Sequence, residues 1–155
     1  DRGLELHIVD ADLRAVVEAE VHRVPLVHPS LRIRAEIPDA ALPVRIDVDR
    51  IAQVLSNLVE NAARATGGRG SVLLTVDGSG PGARVTVDDD GPGIAGEDRE
   101  RIFDRLVRLD EGRVSSGGGG LGLPIARGIA RAHGGDVRCV PGDAGARFVV
   151  TVPRG

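Results

Sequence analysis

The stretch from Asp49 to Thr66 constrains the fold more than any other part of the chain. Read as a helix, it places four apolar residues on one stripe that can pack against a sheet: Ile51, Leu55, Leu58 and Ala62. A second stripe beside it carries two amides and a cation, which could hold a metal-bound polyphosphate: Asn57, Asn61 and Arg64. An amphipathic helix with a polar outer face is the simpler interpretation of this stretch alone.

The composition excludes several kinds of site. All 20 basic residues are arginine, which excludes a P-loop and Schiff-base chemistry on lysine. The net charge is −3, the arginines are scattered and the aromatic residues are two Phe, so a nucleic-acid partner is not expected. One cysteine excludes an internal disulfide framework, and the alternating residues around Cys139 predict a small buried hydrophobe rather than a nucleophile.

The order of the predicted elements indicates an α/β fold with a mixed sheet. The 155 residues suit one domain. Three long helices accompany about seven strands, and several strands are joined by short turns, which favours helices on one face of the sheet. The predicted strands cover residues 3–9, 32–37, 44–48, 71–77, 83–89, 136–140 and 147–152, with a hairpin formed by the fourth and fifth.

The predicted helices cover residues 10–24, 49–66 and 121–133, and a short helix is expected near residues 98–105. Pro25 and Pro29 should end the first helix, because proline lacks the backbone N–H that a helix interior requires. Asp47 or Asp49 is the predicted N-cap of the second helix. The third helix should bury a stripe of Leu121, Ile125, Ile129 and Ala132.

Residues 89–94 (DDGPGI) directly follow a predicted strand. The alternation of that strand points Asp89 inward, where a carboxylate needs a donor, and its two neighbours into solvent. The amino group of a purine is such a donor, whereas guanine would present an acceptor at the same place. Gly91 and Gly93 would let the backbone approach a flat ring. A turn with solvated acids is the alternative.

Residues 101–108 (RIFDRLVR) form a predicted amphipathic segment inside a long, polar loop. We expect Phe103 to pack against the domain while Arg105 or Arg108 reaches a phosphate. A solvated, charged helix is the alternative interpretation of this segment alone.

Residues 117–123 (GGGGLGL) run directly into the third helix. Free backbone N–H groups at a helix N-terminus attract anions, and glycines remove the side chains that would keep a phosphate away. A flexible linker is the alternative, but it does not explain why the apolar periodicity begins at once.

Together, these four motifs resemble the catalytic, ATP-binding domain of two-component sensor histidine kinases, in the wider GHKL class that includes gyrase, Hsp90 and MutL. Residues 57–66 (NLVENAARAT) resemble its N box, and the three motifs that follow resemble its G1, F and G2 boxes. The resemblance covers almost the whole chain, residues 1–155. It implies a two-layer α/β sandwich with a mixed sheet, three main helices on one face and a Gly-rich ATP lid at about residues 92–120.

The resemblance implies a role for each matching residue. Asn61 would coordinate Mg²⁺ on the phosphates of ATP, with Asn57 close to the phosphates or the metal. Arg64 would contact phosphate, and Asp89 would bind the adenine amino group. The other implied nucleotide-binding residues are Gly91, Gly93, Ile94, Arg105, Arg108, Gly118, Gly120, Leu121 and Gly122.

Three positions depart from the usual pattern of this family. Ala65 stands where an aromatic residue often packs on adenine, Leu106 where a second Phe is frequent, and Gly119 where Thr or Ser is usual. These departures bear on nucleotide affinity and on the order of the lid.

The resemblance implies transfer of the γ-phosphoryl group of ATP to a histidine. None of the four histidines has the usual H-E-x-[RK]-x-P surroundings, so we expect the dimerisation and phosphoacceptor domain to precede Asp1. The isolated domain should be monomeric and should not phosphorylate itself. The full-length protein would be a homodimer that serves a response regulator, with this domain in the cytoplasm beneath a membrane-bound sensor.

Two other functions stay open at this stage. The chain could be a degenerate nucleotide-binding or docking module without phosphotransfer. A nucleotide-hydrolysing switch is less favoured, because hydrolytic members of the class carry a glutamate four residues before the metal-binding Asn, where this chain has Asn57. Glu60 lies about 100° away around the helix from Asn61, which is a poor position for a replacement base.

Overall fold

Three helices and two sheets account for most of the residues that this computed structural model describes, 4–104 and 122–154. The helices are α1 (Leu13–Val27), α2 (Val48–Ala65) and α3 (Gly122–Ala132). The strands are β1 (Val9–Asp12), β2 (Arg32–Glu36), β3 (Pro43–Ile46), β4 (Ser71–Asp77), β5 (Gly82–Asp89), β6 (Asp136–Val140) and β7 (Arg147–Pro153). In these two described stretches, no helix is both long and apolar enough to cross a membrane.

The main sheet has five strands in the order β2-β4-β5-β7-β6. Strand β2 runs parallel to β4, and the other neighbours are antiparallel, so the predicted mixed sheet is confirmed. Strands β4 and β5 form the predicted hairpin. Strands β1 and β3 pair antiparallel as a separate two-stranded sheet.

The three helices cover one face of the main sheet, as predicted. Alternate residues of the central strands are buried on that face, and the register places them opposite one another across the strands. Their inner side chains are Val72, Leu74, Val76, Ala83, Val85, Val87, Phe148, Val150 and Val152. The other face is mainly polar, with arginine, threonine and aspartate side chains beside Val140 and Val149, which suits contact with water.

Helix α2 lies at the centre of the helical layer, between α1 and α3. Its predicted apolar stripe is confirmed, because the four residues are all at most 1 % exposed: Ile51, Leu55, Leu58 and Ala62. Asp47 is the N-cap, and its side chain accepts a hydrogen bond from the backbone N–H of Arg50 at 3.2 Å.

The predicted first strand, residues 3–9, is wrong. The strand is shorter and begins at Val9, where it pairs with Ile46, the last residue of β3. Beyond Ile46 the chain turns into α2, so the residues before Val9 have no strand to pair with. Instead, the backbone N–H of His7 donates to the Asp47 carboxylate at 2.9 Å, which with the Arg50 N–H lowers the pKa of Asp47.

Pro25 does not end the first helix, contrary to the prediction. Helix α1 continues to Val27, and the backbone N–H of His28 still bonds to the Val24 carbonyl at 2.7 Å. Pro29 marks the end, because the residue before a proline is pushed towards an extended conformation. His28 has φ −127° and ψ 78°, outside the helical region.

Two further predictions about the second half need correction. Helix α3 is buried along a different stripe: Ile129 is buried as expected, but Ala132 is exposed and Ile125 only half-buried. The buried residues of α3 are Leu123, Ala126, Arg127, Ile129 and Ala130, which face α2 and the segment before residue 104. The short helix expected near residues 98–105 is instead a pair of 3₁₀ turns, Gly96–Asp98 and Arg101–Phe103.

Candidate nucleotide-binding site

Asp89 is a buried carboxylate at the end of a central strand, as the alternation of β5 predicts. It is 6 % exposed. One oxygen, Oδ1, accepts hydrogen bonds from the backbone N–H of Gly91 at 2.9 Å and of Ala146 at 3.1 Å. Backbone donors therefore satisfy this oxygen, as a buried acceptor requires.

The turn after Asp89 lies against the end of α2. A Cβ atom placed on Gly91 would be 3.1 Å from the carbonyl oxygen of Ala65 and 3.3 Å from its Cβ. Gly93 has φ +81°, a conformation that glycine adopts without strain. Ile94 packs partly buried against the core. We call Asp89, Gly91, Gly145 and Ala146 the carboxylate end of the site.

The polar face of α2 leads from the carboxylate end to the start of α3. Nδ2 of Asn57 donates to the carbonyl oxygen of Gly122, the first residue of α3, at 3.1 Å. Asn61 follows one turn later and is half-buried, and Arg64 is exposed in the last turn. We call Asn57, Asn61, Arg64 and Gly122 the helix end of the site.

Asn57 and Ala65 lie about 12 Å apart along α2, since a helix rises about 1.5 Å per residue. This distance is of the order of the length of an extended nucleoside triphosphate. The N-terminus of α3 faces Asn57, and the partial positive charge of a helix N-terminus favours phosphate there. Among the predicted site residues, five lie outside the described residues: Arg105, Arg108, Gly118, Gly120 and Leu121. Leu106 and Gly119, which depart from the usual family pattern, also lie outside the described residues.

Phe103 is buried, as its predicted packing requires. Its ring meets that of Phe148 on β7 edge to face, with 6.2 Å between the centroids. The guanidinium of Arg127, only 8 % exposed on α3, lies 4.1 Å from the centroid of the Phe103 ring. Phe103 therefore joins the main sheet to α3.

Sequence reasoning missed Arg127, because it placed only apolar residues on the inner face of α3. Its guanidinium forms ion pairs with the carboxylates of Glu100 and Asp136. Burial lowers the pKa of Arg127, but the hydrogen bonds that its guanidinium donates to Glu100 and Asp136 raise it by more. No local periodicity signals such a residue, since one partner precedes it by 27 positions and the other follows by nine.

The neighbours of Asp89 along the chain point away from it. Asp90 is exposed, as predicted, and accepts a hydrogen bond from the backbone N–H of Ser71 at 2.9 Å. Asp88 lies on the open face of the sheet but is half-buried, because it pairs with Arg147 at 2.6 Å. Cys139 is only half-buried, rather than fully buried as predicted, and it packs against the core; burial raises the pKa of its thiol to about 11, which does not suit a nucleophile.

Residues 46–155 match the model of a family described as histidine kinase-, DNA gyrase B- and HSP90-like ATPase. The chain belongs to this family. Sensor protein RstB of Escherichia coli (strain K12) is 38 % identical to it over 151 residues, which cover 96 % of the chain and 34 % of RstB. The chain thus spans about a third of the length of the curated relatives it matches.

Solved structures carry the same fold. The nucleotide-free catalytic domain of histidine kinase ThkA superimposes with a TM-score of 0.83 at 28 % identity, covering 96 % of this domain and 97 % of the ThkA domain. Full-length ShkA in complex with AMPPNP gives a TM-score of 0.79 at 29 % identity over 98 % of this domain and 32 % of ShkA. The predicted resemblance to histidine kinase catalytic domains is confirmed. The predicted fold class is confirmed as well, except for the ATP lid, of which residues 105–120 lie outside the described residues.

Proposed function

We propose that this domain binds ATP with Mg²⁺ and donates the γ-phosphoryl group to a histidine of a phosphoacceptor domain in two-component signalling. The observation that carries the proposal is the buried Asp89, whose carboxylate stands at one end of a polar helix face that leads to the start of α3. The complex of the similar kinase ShkA with AMPPNP supports the choice of an adenine nucleotide.

Asp89 would accept a hydrogen bond from the exocyclic amino group of adenine, beside Gly91, Gly93 and Ile94. Arg64 would contact phosphate from the last turn of α2. The start of α3 at Gly122 would add backbone N–H donors, together with Gly118, Gly120 and Leu121 before it. Arg105 and Arg108 are proposed phosphate contacts from the same loop.

Asn61 is the proposed protein ligand of Mg²⁺, with Asn57 close to it. In residues 4–104 and 122–154, no group of three or more histidine, cysteine, aspartate or glutamate side chains could hold a metal ion. An amide oxygen still fits, because Mg²⁺ keeps several waters and takes few protein ligands when phosphates supply the rest. When bound, the metal would neutralise charge on the phosphoryl group being transferred.

The helix end favours transfer over hydrolysis. Asn57 occupies the position four residues before Asn61, and an amide cannot act as a base towards water. Glu60 points elsewhere, because its carboxylate pairs with Nε2 of His28, at the end of α1, at 2.5 Å. Transfer to a histidine depends on positioning and charge neutralisation rather than on a strong protein base.

We propose that the acceptor histidine belongs to the dimerisation domain of the same full-length protein, and that a response regulator then receives the phosphoryl group. In the transfer step the bond from the γ-phosphorus to the β–γ bridging oxygen breaks, a phosphorus–nitrogen bond forms, ADP leaves, and the imidazole ring releases its N–H proton. A degenerate docking module remains the second candidate, because Ala65 leaves the exposed end of α2 without the aromatic ring that often packs on adenine.

Nucleotide binding can be tested by the thermal stability of Asp89→Asn with and without Mg-ADP. An amide nitrogen in place of Oδ2 would oppose the amino group of adenine, while the amide oxygen could still accept the backbone bonds. Ligand at about 100 times its dissociation constant should add about 2.7 kcal/mol to the unfolding free energy of the wild-type domain. Asp88→Asn, on the opposite face of the same strand, should keep the full gain.

An equal gain in wild type and Asp89→Asn would contradict the role of Asp89. Phosphotransfer itself is tested by supplying the acceptor domain and labelled ATP, and phosphate on histidine is the expected product. Nucleotide binding without any labelling would favour the docking module. Steady release of inorganic phosphate by the isolated domain would favour a hydrolytic switch.

A further inference from the structure

The turn between β6 and β7 holds the Asp89 carboxylate from a part of the chain 57 residues away. The backbone N–H of Ala146 donates to Oδ1, and the backbone N–H of Asp89 donates back to the Ala146 carbonyl at 3.0 Å. The Gly91 N–H is the second donor to the same oxygen. Both donors belong to the backbone, so the position of Oδ1 depends on the path of the chain.

Gly145 leaves no room for a side chain at this contact. A Cβ atom there would be 2.5 Å from the carbonyl oxygen of Asp89, 2.5 Å from Oδ1 and 2.7 Å from the backbone nitrogen of Gly91. Two of these atoms belong to the backbone and cannot move aside cheaply. Gly145 does not have a positive φ, so a substitution would act through this crowding alone.

The second oxygen of Asp89, Oδ2, accepts no hydrogen bond from the residues that the structure describes. In the same residues, no fully buried side-chain oxygen or nitrogen lacks a hydrogen-bond partner. Asp89 as a whole is 6 % exposed. The carboxylate thus offers one acceptor atom to a ligand, with the other already saturated by two donors.

An acid with one oxygen free would treat adenine and guanine differently. The pairing edge of adenine has one amino donor beside a ring acceptor, and a single carboxylate oxygen satisfies that donor. The corresponding edge of guanine has two adjacent donors, the ring N–H and the amino group, which a carboxylate free to use both oxygens would take as a bidentate pair. Fixing Oδ1 removes that option.

We propose that Gly145 and Ala146 are positioning residues that set the preference for adenine over guanine by fixing Oδ1 of Asp89 and leaving only Oδ2 to the base. The proposal rests on the proposed nucleotide-binding function and deepens it. It assigns the selectivity to the β6–β7 turn as well as to the acid itself.

The test compares the dissociation constants of ADP and GDP for wild type, Gly145→Ala and the matched control Gly80→Ala. A Cβ on Gly80 meets nothing within 4 Å, and its φ is not positive. In Gly145→Ala the displaced carboxylate should raise the dissociation constant of ADP by about tenfold or more, while that of GDP changes little. The ratio of the GDP constant to the ADP constant should therefore fall by a similar factor. Gly80→Ala should behave as wild type.

An unchanged ratio of GDP to ADP dissociation constants in a folded Gly145→Ala variant would overturn the proposal. That result would leave the nucleotide-binding function intact if Asp89→Asn still abolished ADP binding. An equal loss of affinity for ADP and GDP would also overturn the proposal, because a merely structural defect lowers affinity without changing selectivity.

A second measurement needs no variant and covers the case in which Gly145→Ala does not fold. The amide proton resonances of Gly91 and Ala146 report their bonds to Oδ1 in the wild-type domain. The proposal requires both protons to stay hydrogen-bonded to the carboxylate when ADP is added, since the base uses Oδ2. Loss of either bond at saturating ADP would show that the ligand competes for Oδ1 and would overturn the proposal.

Discussion

The carboxylate end and the helix end of the site are built by different means. At the carboxylate end, backbone N–H groups from two turns hold one side-chain oxygen, and the strands β5 and β7 hold those turns. At the helix end, amide and guanidinium side chains project from the surface of α2. Within residues 4–104 and 122–154, a hydrogen bond from Asn57 to the Gly122 carbonyl connects them to α3. One end is fixed by the sheet, whereas the other is fixed by side chains.

The difference corresponds to the two tasks proposed for the site. Base selectivity needs a donor or acceptor held in one place before the ligand arrives, which backbone hydrogen bonds within a sheet provide. Phosphate and metal bring their own charges, and flexible polar side chains can adjust to them. The following variants separate the two ends or the link between them.

The largest expected effect comes from Phe103→Ala, which removes the ring that joins the main sheet to α3. Phe103 packs between Phe148 on the sheet and Arg127 on α3, so its removal should cost about 3–5 kcal/mol of unfolding free energy. Urea denaturation measures this loss. Because Phe103 does not belong to the carboxylate end, the folded variant should keep its preference for ADP over GDP.

The matched control is Phe103→Leu, which retains apolar volume and should lose clearly less stability than Phe103→Ala. A loss below about 1 kcal/mol in Phe103→Ala would mean that the ring contributes little packing. A changed nucleotide preference would mean that the two ends are coupled through this ring.

Asn61→Ala should disable the helix end alone. Phosphotransfer to the supplied acceptor domain should fall by about 100-fold or more, because the proposed metal ligand is lost where charge develops. The preference for ADP over GDP should persist. Gln53→Ala, about two turns earlier on α2, is the control that should retain transfer. Undiminished labelling in Asn61→Ala would contradict the metal-binding role.

The features that sequence could predict are those with a local period. The stripe of α2 repeats at helical spacing, and Asp89 continues the two-residue alternation of β5, so both orientations follow from neighbouring residues. The hairpin of β4 and β5 is equally local, and its predicted strands agree with the structure to within one residue.

The features that sequence could not predict depend on distant partners. Residues 4–8 alternate like a strand, yet the entry of the chain into α2 at Asp47 removes the partner they would need. Arg127 looks solvent-facing until Phe103 and two carboxylates are placed beside it. The hydrogen bond from the backbone N–H of Ala146 to the Asp89 carboxylate cannot be predicted from the sequence of either segment, because a backbone N–H can donate whatever side chain the residue carries.

Asn57→Ala tests the hydrogen bond that connects α2 to the start of α3 at the helix end. Loss of the bond to the Gly122 carbonyl should lower the unfolding free energy by about 1 kcal/mol, since the carbonyl can turn to water. Asn57→Asp should cost more, because a carboxylate oxygen would then face that carbonyl oxygen. Equal stabilities for the two variants in urea denaturation would argue against the hydrogen bond.

The smallest expected effect is a pH dependence at Glu100, which supports α3 through Arg127. The hydrogen bond from Arg127 lowers the pKa of Glu100 below its ordinary value of 4.5. The ionised pair therefore stabilises the fold above about pH 4.5, and this contribution is lost as the pH falls through the lower value of the folded state. The side chain of Glu100 is 77 % exposed, so solvent screening should keep the effect below about 1 kcal/mol.

Urea denaturation of wild type and Glu100→Gln at pH 7 and at acidic pH would measure that contribution. Their difference in unfolding free energy should be present at pH 7 and shrink on acidification, because the protonated wild-type residue then resembles glutamine. Glu97→Gln is the control, since Glu97 has no ion pair in residues 4–104 and 122–154 and its replacement should give no such difference. A difference that persisted below the pKa of the folded state would indicate that Glu100 acts through packing rather than charge, and that the link at Arg127 depends on Asp136 and the Phe103 ring.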